Sequence, residues 1–185
     1  MTRTDHDPVT RSIHWFIAVA VAAAYAVAVV REELPKGDFR TFLLGLHMWV
    51  GMAVLALSVV RLAWRVGAPT VDPAPGTPPM RLFAKAAHVA LYAALLLLPV
   101  VGLLAAWGKG RSVTLFGLVP LLPPVPIDRD LGDRLEDLHG LVGHAVMILA
   151  GLHAAAAIVH QWVLKDGTLG RMLPLVRGPA RTPTD

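Results

Sequence analysis

Four long apolar segments, separated by shorter polar ones, dominate the pattern along the chain. They run over residues 12–30, 42–64, 83–107 and 138–163, and each matches the roughly 20 residues that an α-helix needs to cross a bilayer. Backbone polar groups must be satisfied internally in lipid, so apolar segments of this length predict membrane-spanning helices. We therefore predict an all-α fold, an integral membrane four-helix bundle, formed by a single domain over residues 1–185.

Polar and proline-rich segments connect the apolar ones. The predicted loops cover residues 31–41, 65–82 and 108–137, and a tail follows over 164–185. The second loop contains VGAPTVDPAPGTPPM, which has too many prolines for a helix. The third carries several prolines and then the acidic run DRDLGDRLED. The first apolar segment is longer than the 7–15 residues typical of a signal peptide, so we expect it to remain as a helix.

The composition supports a membrane protein and narrows the cofactor chemistry. Hydrophobic residues make up 55% of the chain and charged residues only 16%, whereas about a quarter is charged in ordinary soluble domains. The absence of cysteine excludes disulfides, iron–sulfur clusters and c-type haem attachment, and it leaves histidine as the main soft ligand. Although the net charge is +4, the basic residues are scattered at segment ends. We therefore expect a lipid bilayer as a partner and no nucleic acid.

The distribution of lysine and arginine predicts the orientation, because cytoplasmic loops carry an excess of both. The side that holds both termini and the second loop has ten: Arg3, Arg11, Arg61, Arg65, Arg81, Lys85, Lys165, Arg171, Arg177 and Arg181. The opposite side has seven: Arg31, Lys36, Arg40, Lys109, Arg111, Arg129 and Arg134. Both termini are therefore predicted to be cytoplasmic.

Two histidines of the fourth segment have a spacing that suits a membrane. His139 and His153 are fourteen residues apart, which on a helix is about 21 Å of rise and close to four full turns. Both side chains lie on one stripe, one near each membrane face. His14 is near the cytoplasmic start of the first helix, and His47 is near the outer start of the second. Depth then pairs His14 with His153 on the inner side and His47 with His139 on the outer side.

Two histidines at one depth are what six-coordinate b-type haem requires. A single histidine at a helix end has a simpler explanation, because its ring reaches the interface at little cost. Four depth-matched histidines favour cofactors, since ionisable groups inside a membrane are costly. We therefore predict two haem b groups about 20 Å apart along the membrane normal. Six glycines within the helices, Gly102 among them, admit either a flat macrocycle or close helix packing.

The other four histidines have less definite expected roles. His88, at the level of the inner pair, is a candidate to replace a ligand, to bind a quinone or to hydrogen-bond a haem propionate. His160 is seven residues after His153 on nearly the same face, and it suits either a quinone headgroup or the membrane interface. His144 is rotated by about 140° from His139 and is not expected to be a ligand. His6 belongs to a polar tail and is expected to be solvated.

Several short stretches resemble the bacterial cytochrome b561 family, whose members are four-helix membrane dihaem cytochromes. They are SIHW at 12–15, GLHMWVGM at 45–52, AHVALY at 87–92, LPVVG at 98–102 and GLHAAAAIVHQWVLKDGTLGRMLP at 151–174. The resemblance covers essentially the whole chain, and the last stretch is the most specific. Within the family the chain is most similar to the superoxide oxidase type, which takes electrons from superoxide outside and passes them to ubiquinone. The implied location is the bacterial inner membrane, with several passes.

The resemblance also implies roles for individual residues. His47 and His139 match the outer haem ligands, His14 and His153 match the inner ones, and His160 matches a position at the quinone end. Lys109 and Arg111, in WGKGR at 107–111, stand where the superoxide oxidase type has a basic outer surface. Both are therefore candidates for steering superoxide, although positive charge that merely solvates a loop explains them equally well. The acidic run at 128–137 departs from the pattern and dilutes this field.

The resulting functional prediction is an oxidoreductase that moves single electrons across the membrane, oxidising superoxide at the outer face and reducing ubiquinone. Haem suits one-electron chemistry, and a six-coordinate iron would react at the haem edge. One alternative is an electron-transfer subunit that docks a partner dehydrogenase or periplasmic carrier and has no substrate of its own. Another is a four-helix protein without haem, such as a transporter.

Overall fold

The computed structural model describes residues 5–68, 76–124, 126 and 128–176. Four helices form the bundle: α1 (Pro8–Glu33), α2 (Asp38–Gly67), α3 (Pro78–Gly108) and α4 (Arg129–Trp162). Each is long and apolar enough to cross a membrane. The predicted all-α membrane four-helix bundle is confirmed. Arg3, Arg177, Arg181 and the central part of the loop predicted at 65–82 lie outside the described residues.

The helices extend beyond the apolar segments because polar residues cap and continue them. Asp7 accepts a hydrogen bond of 2.9 Å from the backbone N–H of Thr10 at the start of α1, and Asp128 accepts one of 2.7 Å from that of Leu131 at the start of α4. Such capping satisfies N–H groups that have no partner within the helix. Residues 129–137, predicted as part of a loop, are therefore the first turns of α4.

A short β-hairpin, which the sequence analysis did not predict, lies between α3 and α4. Strands β1 (Val113–Leu115) and β2 (Val119–Leu121) pair antiparallel, with Leu115 opposite Val119. Phe116 and Gly117 both have positive φ angles, 51° and 77°, as the tight turns favoured in hairpins require. A β-carbon added to Gly117 would lie 3.4 Å from the ring of Trp49. The hairpin therefore lies beside α2 at the end of the bundle where α1 ends and α2 begins. We call this the outer end and the opposite end the inner end, after the predicted orientation.

The bundle consists of two closely packed helix pairs, α1 with α2 and α3 with α4, whereas α1 and α4 barely touch. The α3–α4 pair meets backbone to backbone, since a β-carbon on Gly132 would lie 2.7 Å from the carbonyl carbon of Gly108. Most other helix positions are partly or fully exposed, and Phe16 and Leu141 are about two-thirds exposed. Such apolar exposure is expected where lipid is the solvent.

The segment after α4 folds back beneath the inner end of the bundle. It contains two 3₁₀ turns, Leu169–Arg171 and Pro174–Val176. The indole N–H of Trp15 on α1 donates to the carbonyl of Met172 over 3.1 Å, and the side chain of Gln161 accepts a hydrogen bond of 3.0 Å from the backbone N–H of Gly170. The described part of the predicted tail is therefore attached to α1 and α4.

Candidate functional site

The outer pair of histidines faces each other between the two helix pairs. His47 comes from α2 and His139 from α4, and their ring centroids are 5.9 Å apart with the ring planes at 82°. Depth matching predicted this pair from the sequence, and the structure brings the two rings together.

Each outer ring is held by a backbone carbonyl of its own helix pair. Nδ1–H of His47 donates to the carbonyl of Ala24 on α1 over 2.9 Å, and Nδ1–H of His139 donates to that of Leu98 on α3 over 3.0 Å. This arrangement fixes both tautomers, because the donating nitrogen carries the proton and leaves Nε2 with its lone pair. Metal-binding histidines are oriented by hydrogen bonds of this kind.

Gly102 gives the ring of His139 its space. A β-carbon on Gly102 would lie 2.7 Å from Cε1 of His139, closer than atoms in real structures approach. The ring therefore rests directly on the backbone of α3. The sequence LPVVG at 98–102 supplies both features of this contact, the accepting carbonyl at Leu98 and the missing side chain at Gly102.

Three histidines cluster on the inner side. The ring of His153 on α4 lies 6.4 Å from that of His14 on α1 and 5.2 Å from that of His88 on α3, centroid to centroid. The inner cluster has no counterpart of the carbonyl anchors on the outer side, because none of its three rings is hydrogen-bonded within the described part of the chain. The predicted partners His14 and His153 are brought together, and His88 joins them as a third ring.

Arg61 and Tyr92 lie beside the inner cluster. Nε of Arg61 donates to the hydroxyl of Tyr92 over 2.9 Å, and the guanidinium also lies 5.8 Å from the centre of the ring. Arg61 is within electrostatic range of His14 and His153. Sequence reasoning missed this pair, although Tyr92 is one helical turn after His88.

His160 sits at the inner end of α4 and is paired with a carboxylate. Its Nδ1–H donates to Asp166 over 2.5 Å, and the other oxygen of Asp166 accepts from the backbone N–H and the hydroxyl of Thr168 over 3.0 and 2.7 Å. Burial favours the neutral form of Asp166, but the hydrogen bonds from Thr168 and His160 outweigh it and lower the pKa of the carboxyl. The ring is therefore oriented by an ionised group. Asp166 was not predicted from the sequence.

The remaining two histidines, His144 and His6, lie outside the pairs and clusters described above. His144 shares a hydrogen bond of 2.9 Å with the hydroxyl of Tyr25, so it links α4 to α1. His6, expected to be solvated, is partly buried instead. Burial and the nearby cations Arg65 and Arg61 lower the pKa of His6. That expectation was wrong because the start of the chain packs against the inner end of α2.

A cavity of about 890 Å³ opens at the outer end of the bundle. It reaches the level of the outer histidines, since Gly140 and His144 of α4 and Leu44 of α2 belong to its wall. Its charged lining comprises five cations and three carboxylates: Arg31, Lys36, Arg40, Lys109, Arg111, Glu32, Glu136 and Asp137. The cavity is therefore wide, charged and net positive.

Lys109 and Arg111, the predicted steering residues, are engaged in ion pairs at the rim of this cavity. Lys109 contacts Asp133 at 2.8 Å and also Glu136, and Arg111 contacts the second oxygen of Glu136 at 2.9 Å. Hydrogen bonds to Asp133 and Glu136 raise the pKa of Lys109. Both cations stay charged, but their field outside the protein is reduced by the acidic residues of α4.

The outer and inner pairs fit a haem between their rings. Two imidazoles on opposite faces of one iron, each about 2 Å from the metal, have centroids about 6 Å apart. The 5.9 Å of the outer pair and the 6.4 Å between His14 and His153 agree with this value, whereas the 5.2 Å between His88 and His153 is shorter. α1 and α4, which carry His14 and His153, make few direct contacts with each other.

The chain is also similar in sequence to known proteins. The chain matches the family described as prokaryotic cytochrome b561 over residues 5–175. It is 32% identical over 168 residues to a Yersinia pestis protein named "Probable superoxide oxidase CybB", covering 90% of this chain and 94% of the relative. It is also 29% identical over 167 residues to the Escherichia coli protein "Cytochrome b561 homolog 2", covering 89% of each chain.

A third relative is cytochrome b562 of Cereibacter sphaeroides, which is 32% identical over 172 residues and covers 88% of this chain and 90% of its own. Members of the matched family bind b-type haem and transfer electrons in bacterial membranes. The four long apolar helices make this chain a multi-pass membrane protein of the same kind. The chain belongs to the prokaryotic cytochrome b561 family.

Proposed function

We propose that this protein is a dihaem cytochrome that oxidises superoxide at the outer face of the bacterial inner membrane and reduces ubiquinone. The observation that carries the proposal is the pair of histidine sites along α4, in which His139 and His153 each face a histidine of another helix at matching depth. The overall reaction uses two superoxide anions, one ubiquinone and two protons, and it yields two dioxygen molecules and one ubiquinol.

In this proposal the outer haem is held by His47 and His139, and the inner haem by His14 and His153. Bound haem supplies reversible one-electron transfer. The carbonyls of Ala24 and Leu98 hold the outer imidazoles with Nε2 free of a proton, as ligation requires. Ligation by two histidines leaves no open coordination position, so a small anion has to approach the edge of the site.

Superoxide as donor is supported by the named Yersinia pestis relative and by the charge of the outer cavity. Lys36 and Arg40 contribute positive charge in addition to the paired Lys109 and Arg111. Positive charge in a concave site raises the encounter rate of an anion, and the effect weakens with salt. These cations therefore attract and orient the substrate and take no part in bond making.

The quinone end is proposed to lie at His160, at the inner membrane surface. Asp166 holds Nδ1–H of this ring, so a quinone carbonyl would meet Nε2. An imidazole that is hydrogen-bonded to a carboxylate can pass a proton when its other nitrogen receives or releases one. This placement is consistent with both termini lying on the cytoplasmic side, where protons for ubiquinol formation would be taken up.

The test uses the purified full-length protein with a short-chain ubiquinone and a superoxide source. We expect about two haems per chain, formation of ubiquinol that superoxide dismutase abolishes, and slower ubiquinol formation in His160→Gln at unchanged haem content. Absence of ubiquinol with both haems present would overturn superoxide oxidation. Unchanged quinone kinetics in His160→Gln would remove this residue from the site.

A second candidate, electron transfer with a partner dehydrogenase or periplasmic carrier, is favoured by one specific observation. Leu118, in the turn between β1 and β2, and Leu122, directly after β2, are 85% and 81% exposed. Exposed apolar residues at one edge suit a protein contact. In that case superoxide fails to reduce the purified protein, and Leu118→Asp reduces electron transfer from the membrane fraction while both haems are retained.

A further inference from the structure

Arg31 has a buried donor without a partner. It lies in the last turn of α1, and its Nε is shielded from solvent with no hydrogen-bond partner among the described residues. A buried donor left unsatisfied lowers the stability of the folded protein, and the cost is larger if the donor is charged. Native proteins avoid this cost, so a buried guanidinium nitrogen of this kind indicates an anionic acceptor at the position it faces.

Of the four other cations that line the cavity, three already have partners, and the fourth, Lys36, is exposed to solvent. Lys109 and Arg111 are bound to Asp133 and Glu136, and Arg40 donates to the carbonyl of Leu34 over 2.6 Å. Arg31 makes no salt bridge to any described residue, although Glu136 and Glu32 are within electrostatic range. Among the described residues, Arg31 is therefore the cavity cation whose buried Nε–H can still donate a hydrogen bond to a ligand.

Arg31 is also close to the outer histidine pair. It lines the same cavity as Leu44 and Gly140, which are neighbours of the two outer histidines along their helices, and it is within electrostatic range of His47. A ligand of the outer histidines that extends into this cavity therefore comes close to Arg31. Haem has two carboxylates on one edge, and arginine pairs with carboxylates through two parallel hydrogen bonds.

We infer that Arg31 binds a propionate carboxylate of the outer haem and so fixes which edge of the macrocycle faces the outer surface. This inference rests on the proposed outer haem between His47 and His139. The fixed positive charge stabilises the reduced, more negative state of the site, since arginine stays protonated throughout. Arg31 is thus a positioning and tuning residue that contacts the cofactor and leaves the iron ligands unchanged.

The test is a potentiometric titration of both haems, followed by absorption, in the wild-type protein and three variants. In Arg31→Gln we expect the ratio of reduced to oxidised outer haem at fixed ambient potential to fall about tenfold. The outer potential should also acquire a pH dependence near neutrality, because the propionate loses its cation. Arg31→Lys should restore most of the ratio. Arg129→Gln, which removes an exposed cation from the same side outside the cavity, should change neither haem.

Selective loss of the outer haem in Arg31→Gln, with Arg31→Lys retaining it, would also support the inference. Two haems with unchanged outer potential and pH profile in Arg31→Gln would overturn it. So would a shift that disappears when chloride and phosphate are left out of the buffer, since Arg31 would then bind a free anion. A wild-type protein with fewer than two haems contradicts the proposed function instead, so the two failures are distinguishable.

Discussion

The outer and inner histidine sites use the same residue type but are built differently. The outer rings are each fixed by a backbone carbonyl of the neighbouring helix, and one of them rests on a glycine. The inner rings lack such anchors within the described residues, and a third histidine shares their space. The outer site is therefore preformed by the packing of α1 with α2 and of α3 with α4. The geometry of the inner site depends more on its ligand.

α4 therefore carries a rigid histidine site near its outer end and a more adaptable one near its inner end. Under the proposed function, a preformed outer site would keep its geometry while a small substrate reacts at its edge, because preorganisation of this kind avoids rearrangement during electron transfer. An inner site with a third imidazole and a nearby arginine, Arg61, has more groups that can respond to a change in charge. We expect substitutions at the outer and inner histidine sites to have different effects.

The largest expected effect is loss of a whole cofactor when a ligand is removed. His47→Ala and His139→Ala should each lower the haem content from about two to about one per chain by removing the outer group. His14→Ala should do the same at the inner site, and His88→Ala should retain both. Haem content and α-band spectra measure this. Retention of the inner haem in His14→Ala with its loss in His88→Ala would assign the ligand role to His88.

Gly102→Ala should weaken the outer site alone. The added methyl group would meet the ring of His139, which must then leave both its position and the carbonyl of Leu98. Loss of such an orienting contact costs about tenfold to a hundredfold in affinity for the bound metal group. The fraction of haem retained after dilution in detergent measures this loss of affinity. Gly67→Ala is the matched control because a β-carbon there meets nothing within 4 Å. Equal haem loss in both variants would contradict the role of Gly102.

A smaller effect is expected from releasing the paired cations. Glu136→Gln removes the negative charge shared by Lys109 and Arg111, so the positive field at the outer face should increase. Reduction by superoxide should become a few-fold faster at low ionic strength and approach the wild-type rate at high salt. Stopped-flow measurement over a salt series tests this, with Asp130→Asn as a control for net charge. A rate gain that does not depend on salt would exclude steering as its cause.

The smallest effect concerns the inner surface. The pKa of Asp166 is lowered in the folded protein, so its ionised form contributes stability that is present above the ordinary carboxyl pKa of about 4 and is lost as pH falls through the lower folded value. Asp166→Asn should loosen the segment 163–176 at neutral pH by about 1 kcal/mol. It should also abolish the wild-type loosening in acid.

Hydrogen exchange of that segment from pH 3 to pH 7 measures this effect. Asp38→Asn, at the outer start of α2, is the control. An exchange profile of Asp166→Asn that still follows pH as in the wild type would show that another group titrates there.

The membrane fold was predictable from the sequence because hydrophobic length alone determines which segments span lipid. Depth matching likewise placed His47 opposite His139, since α4 and α2 run in known directions once the spans are fixed. The hairpin at 113–121 was not predictable in this way, because it depends on positive φ angles at Phe116 and Gly117 and on contact with Trp49. Such features arise from packing across the outer end of the bundle.

The arrangement of the charged residues was also predictable only in part. The predicted side of the membrane follows from the number of Lys and Arg residues in each loop. The ion-pair partners of these residues cannot be predicted in this way. The acidic run at 128–137 was expected to dilute the field of Lys109 and Arg111, but the specific pairing of both cations with Glu136 was not predicted. Arg31 looked like an ordinary helix-end arginine. Its importance depends on burial of one nitrogen, which no local sequence pattern encodes.

The backbone contact between Gly108 and Gly132 fixes the position of α4 along the axis of α3. Gly102 lies six residues before Gly108, and His139 lies seven residues after Gly132, so the two antiparallel helices bring ring and glycine to one level about 10 Å below the contact. The depth of the outer site is thus set by the helix register and does not depend on the length of the 109–128 connection. A change in the length of that connection would therefore alter the outer surface and leave the depth of His139 and of the proposed outer haem unchanged.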